Sequence, residues 1–234
     1  MTNQFPKRNA LRTGAFAASA LLLLASAPLS TAMAQGSAAQ GGATQTNAAD
    51  SAPGTMEMMA AMVGMKPATD MMKMTGDVDR DFMIMMITHH NAGIAMSTAE
   101  QGYGQKEELK EMATSDIRDQ MKDNREMREY LQHPAKADKG PGSNSAASTA
   151  MMDAMTKMNQ SMTGMKLNGK QDHDFIMMMI PHHEAAIAMA QVEVQHGSDP
   201  RAKKVAEGVI KSQSKDVKDM KTWHKAWFNS DYPM

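Results

Sequence analysis

From Gly76 onward the chain is written twice, at a fixed offset of 93 and without a gap. Gly76 matches Gly169, Asp79 Asp172, Asp81 Asp174, Phe82 Phe175, Met86 Met179, Ile87 Ile180, His89 His182, His90 His183, Ile94 Ile187, Met96 Met189 and Glu100 Glu193. The register persists farther on, where Ile117 meets Ile210, Gln120 meets Gln213 and Met127 meets Met220. An ungapped repeat of this length is one supersecondary unit made twice, so both copies adopt the same elements.

Each unit reads as a short Met-rich helix, a turn, and two longer helices. Met58, Met62 and Met65 in the first copy, and Met151, Met155, Met158, Met162 and Met165 in the second, recur at helical spacing. Thr75-Gly76 and Asn168-Gly169 mark turns, followed by Asp77 or Asp79, and by Asp172, as candidate N-caps. The first long helix stops at Gly102-Tyr103-Gly104 or His196-Gly197, and Asp199-Pro200 opens the last one. On the final helices Ile117, Gln120, Asn124, Met127 and Leu131 share a face, as do Ile210, Gln213, Val217, Met220 and His224. No segment alternates as a strand would. The expectation is an all-α fold in which two duplicated hairpins pack as a four-helix bundle, with the short helices beside it and Trp223, Trp227, Phe228 and Tyr232 closing one end.

The flanks have other characters. Lys7, Arg8 and Arg12 precede an apolar run from Gly14 to Ala27, and Ala32-Met33-Ala34 supplies a small-x-small cleavage pattern, so residues 1–34 read as a secretory signal peptide. Residues 35–55 and 134–149, rich in Gly, Ala, Ser and Thr, read as flexible linkers around a first repeat at 56–133 and a second at 150–234. No later segment is apolar enough to predict stable membrane insertion. Loss of the leader leaves 22 Lys+Arg against 26 Asp+Glu, an acidic balance that gives no footprint for nucleic acid.

Composition enters where chemistry begins. The chain has no Cys, and 27 of its 29 Met follow the leader, against three Leu there. Met packs less specifically than Leu and loses more rotamer freedom, so stability alone does not favour the exchange. Soft-metal chemistry, if present, runs through thioether and imidazole. At 100° per residue Phe82, Met85, Met86, His89, Gly93, Met96 and Glu100 fall on one stripe, and Phe175, Met178, Met179, His182, Ala186, Met189 and Glu193 repeat it. His90 and His183 lie one step round, able to serve a second site or a neighbouring helix. Thioether suits Cu(I) and imidazole suits both Cu(I) and Cu(II), so such a stripe suits copper and its silver analogue. Nearby Asp79, Asp81, Asp172 and Asp174 would shift preference toward harder ions if they joined. Gln120, Gln213, Glu100 and Glu193 either orient the imidazoles or form an interhelical network. Pro181 interrupts the second copy's helix and frees the Met177 carbonyl, where the first copy has Thr88.

The string Asp-Phe-x-x-x-Met-Ile-x-His-His-x-x-x-Ile-x-Met, at 81–96 and again at 174–189, resembles the signature of the CopM-like proteins, a family of the bacterial envelope long catalogued as a domain of unknown function. That resemblance implies a ferritin-like helical fold, periplasmic copper binding and a part in copper tolerance and homeostasis. By motif position it implies His89, His90, Met86, Met96, His182, His183, Met179 and Met189 as ligands; Met85 and Met178 join them from the stripe. The expected role is binding without catalysis, with copper ions and other periplasmic copper-handling proteins as partners. Two other classes remain. Glu193-Val-Gln-His196 fits the Glu-x-x-His of a di-iron oxidase, and a Met-rich helical surface suits an envelope chaperone.

Overall fold

The computed structural model describes residues 52–134, 145–230 and 232–233; the leader, most of the first linker and the middle of the second lie outside them. The described residues form six helices and no strand: α1 (Pro53–Asp70), α2 (Val78–Tyr103), α3 (Glu107–Gln132), α4 (Ser145–Thr163), α5 (Gln171–His196) and α6 (Pro200–Phe228). Hairpin α2–α3 packs on hairpin α5–α6 through α2 against α5 and α3 against α6; α1 lies along α2 and α4 along α5. The result is the expected four-helix bundle flanked by two short helices.

Both short helices begin earlier than composition suggests. Pro53 to Thr55 belong to α1, and 145–149 to α4, because each start carries a hydroxyl with a buried partner. Thr55 Oγ1 donates to Asp174 Oδ2 at 3.0 Å, and Ser148 Oγ donates to Asp81 Oδ2 at 2.6 Å. Thr55 and Ser148 are themselves matched at offset 93, and each reaches the other copy.

The same two carboxylates hold the turns that precede the long helices. Asp81 accepts from the Thr75 and Gly76 amides, and Asp174 from those of Asn168 and Gly169. Gly76 and Gly169 stand at φ 79° and 78°, the left-handed region open to glycine at little cost. Asp77 caps α2 by accepting from the Arg80 amide. Asp172 does not cap its own helix: Lys170 occupies that position in α5. Its carboxylate accepts instead from the Gln105 and Lys106 amides, at 2.8 and 3.0 Å, and so closes the start of α3 in the other hairpin. Asp79 reciprocates by accepting from the Ser198 and Asp199 amides at the start of α6. Asp79, Asp81, Asp172 and Asp174 are occupied by orphan backbone donors and hydroxyls, and so serve the frame.

Gly104 and Gly197 end α2 and α5 with extended backbone, so they are not left-handed caps. Space is the reason for glycine there: a Cβ at either would collide with the carboxylate of Glu100 or Glu193 four residues back. α5 continues across Pro181, and the Met177 carbonyl that proline leaves free accepts from the Tyr232 hydroxyl at 3.3 Å. In α2 the matched Ile84 carbonyl accepts from Thr88 Oγ1.

Candidate metal centre

The duplicated helices α2 and α5 face each other along the stripe that the spacing defines. His89, His90, His182 and His183 are each fully buried, as are Met85, Met86, Met96, Met179 and Met189, with Met178 3 % exposed. The four imidazoles form a row through the bundle: ring centroids of His90 and His89 are 6.4 Å apart, His89 and His182 stack at 3.6 Å, and His182 and His183 are 6.0 Å apart.

Among the described residues, seven of the eight ring nitrogens in that row have no hydrogen-bond partner. The eighth, His182 Nε2, lies 3.0 Å from the His89 carbonyl oxygen. A carbonyl only accepts, so Nε2 carries the proton and the lone pair of His182 sits on Nδ1. This approach depends on Gly93, where a Cβ would fall 2.8 Å from His182 Cε1 and collide with the Gln120 side chain. Burial, then the neighbouring His90 and His183, holds His89 well below the usual histidine range. Burial, then His89 and His183, does the same to His182. Both are neutral at pH 7, with lone pairs free for a cation.

The outer imidazoles face carboxylates that sequence reading passed over. His90 Nε2 is 3.7 Å from Asp123 Oδ2, while His183 Nε2 is 3.5 Å from Asp116 Oδ1 and 4.0 Å from Asp216 Oδ2. Burial, then the charge of Asp116, pushes Asp216 up to about 6. Asp123 and Asp216 match at offset 93, which was the available signal, masked by the many other charges on α3 and α6. Asp116 has Val209 as its match, so the repeat carried no sign of it.

Other candidates fall elsewhere. Glu100 and Glu193 sit at the hairpin ends and bond no imidazole among the described residues; Glu100 accepts from Gln171 Nε2 at 2.9 Å. Burial above all pushes Glu100 up to about 8 and Glu193 to about 9, with Asp172 and Asp79 respectively adding to the effect. Gln120 lies over Gly93 beside His182, and neither amide atom has a hydrogen-bond partner among the described residues. His196 is exposed while Glu193 is buried against Gly197, so the Glu-x-x-His pair does not converge on a site. His173 meets Asp174, and His224 meets the Ser230 carbonyl, in an aromatic cluster with Phe228.

A family model described as a domain of unknown function, DUF305, matches residues 27–131 and again 117–224. The chain belongs to the DUF305 family. That membership agrees with the resemblance of the paired motif, and the two matches follow the duplication. No curated protein matches the chain. Among solved structures it is similar to CopM in the Cu(I)-bound form, with 29 % identity over 64 % of this chain and 97 % of that one, at a TM-score of 0.49. CopM in the Ag-bound form obtained by soaking is similar at 28 % identity over 64 % and 97 %, with a TM-score of 0.48. The Cu(II)-bound form gives 29 % identity over 64 % and 98 %, also at 0.48. No helix among the described residues is long and apolar enough to cross a membrane.

Proposed function

We propose that this DUF305 protein binds copper in the periplasm, holding Cu(I) and Cu(II), and the Cu(I) analogue Ag(I), for sequestration or delivery in copper tolerance. The observation that carries this reading is the row of four buried imidazoles with seven unpartnered ring nitrogens. Leaving that many buried polar atoms dry would cost on the order of 10 kcal/mol, comparable with the whole stability of a domain. A bound soft cation offsets that cost. The neutral imidazoles of His89 and His182 supply lone pairs, and Met85, Met86, Met96, Met178, Met179 and Met189 supply thioethers on the same faces.

Two further features support the reading. A groove of about 580 Å³ between α1 and α4 is lined by Met59, Met62, Met162 and Met165 and reaches Met178, offering thioether steps from the surface toward the stripe. The leader at 1–34 supports export, where a chain without Cys keeps its ligands clear of disulfide chemistry. The proposed role is binding rather than catalysis.

The test is titration of the metal-free protein with Cu(I) against a competing chelator. Replacing His89, His90, His182 and His183 together by Ala weakens uptake by on the order of 10³-fold or more while far-ultraviolet circular dichroism still reports helix. Unchanged stoichiometry in that variant, or no copper bound by the parent, removes the assignment.

A further inference from the structure

The two ends of the imidazole row are not equivalent. Among the described residues, one carboxylate, Asp123, stands within 4.0 Å of His90, and two stand within 4.0 Å of His183: Asp216 from its own hairpin and Asp116 from the other. Ser97 Oγ lies 3.4 Å from Asp116 Oδ2 and orients it. The matched residues in the other half are Val209 for Asp116 and Ala190 for Ser97, so the extra carboxylate and its hydroxyl support occur together at one end only.

Distances separate a metal site from a hydrogen-bonded pair. At 3.5 and 4.0 Å the His183 Nε2 to carboxylate separations are at or beyond the limit for hydrogen bonds, and neither ring nitrogen of His183 has a hydrogen-bond partner among the described residues. Two ligands about 2.0–2.1 Å from a tetrahedral ion stand about 3.4 Å apart. One donor atom from each of Asp116, His183 and Asp216 lies within 4.8 Å of the others, the spread such an ion would draw together. The His183 side chain is fully buried and that of Asp116 6 % exposed, while that of Asp216, at 18 %, opens the cluster toward solvent.

We propose that Asp116, His183 and Asp216 form a separate site for a divalent cation of the Cu(II) or Zn(II) class, distinct in chemistry from the thioether-lined stripe. One imidazole and two carboxylates make a borderline-to-hard donor set, and solvent completes the shell. Ag(I) and Cu(I) gain little from such oxygen donors. The site shares His183 with the copper reading, but the two fail separately.

The experiment titrates the metal-free full chain with Co(II), read by visible d–d absorption and equilibrium dialysis, and in parallel with Ag(I). The parent binds one equivalent of Co(II) at this site. Asp116→Val, which installs the residue the other half uses, weakens Co(II) by at least about 100-fold and leaves Ag(I) stoichiometry unchanged. Asp216→Asn keeps size and shape and is the check against a folding defect: it too loses Co(II) while keeping Ag(I). Co(II) bound equally by parent and both variants, or not bound by the parent, overturns the site. Co(II) bound here by a parent that ignores Ag(I) and Cu(I) would instead remove the thioether-lined Cu(I) site and leave this one standing.

Discussion

Hairpins α2–α3 and α5–α6 share the aspartates that hold their turns and helix starts, and differ most beside the imidazoles. Asp79 and Asp172, and Asp81 and Asp174, do the same work at matched places. Next to the histidines the first hairpin has Gly93, Ser97 and Asp116, where the second has Ala186, Ala190 and Val209. Gly93 admits His182 to the α2 backbone, whereas Ala186 carries the Cβ that Gly93 lacks. The comparison teaches that the fold constrains both copies alike, while the chemistry at the imidazole row is set by a few unmatched neighbours.

The largest expected effect tests the shared frame. Asp81→Ala strands the Thr75 and Gly76 amides and the Ser148 hydroxyl, and Asp174→Ala does the same to Asn168, Gly169 and Thr55. Each should lower unfolding free energy by about 3 kcal/mol or more in urea denaturation. A difference between them of more than about 2 kcal/mol would break the claim of equivalence.

A second, smaller effect sharpens a difference within the frame. Glu100 is held by Gln171, but the match of Gln171 is Val78, and among the described residues Glu193 has no such donor. Folded values of about 8 and about 9 stand above the ordinary 4.5, so the folded state favours the protonated acids. Their contribution is fully present below pH 4.5 and is lost as pH rises, through about 8 for Glu100 and about 9 for Glu193. Denaturation from roughly pH 5 to pH 9 should show stability falling, and Glu193→Gln should flatten that fall more than Glu100→Gln. Equal flattening would discount the role of Gln171.

The smallest effect probes the imidazole row. Gly93→Ala forces His182 and Gln120 aside and should cost about 1–3 kcal/mol, despite the better helix propensity of Ala. Ala186→Gly should cost about 1 kcal/mol through propensity alone. Stabilisation by Gly93→Ala in thermal melts would show that His182 does not depend on that gap.

Much of this was legible because the repeat supplied an internal control. Matched glycines and aspartates marked the turns, and the paired His-His motif marked the row. Long-range carboxylate partners were not legible: Asp172 reads locally as a cap for its own helix, and only tertiary packing turns it onto the Gln105 and Lys106 amides. Asp116 escaped for the opposite reason, since its match is Val209 and its neighbours on α3 are ordinary surface charges. Low-complexity composition likewise hid the first turns of α1 and α4, where Thr55 and Ser148 find buried acids.

The crossed contacts of Asp79 with α6, Asp172 with α3, Thr55 with Asp174 and Ser148 with Asp81 make each half the finishing piece of the other. A severed half therefore has its loose ends answered only by its counterpart or by a second copy of itself. Assembly of the four-imidazole row is thereby tied to arrival of the whole chain, and a truncated product brings only half of that row.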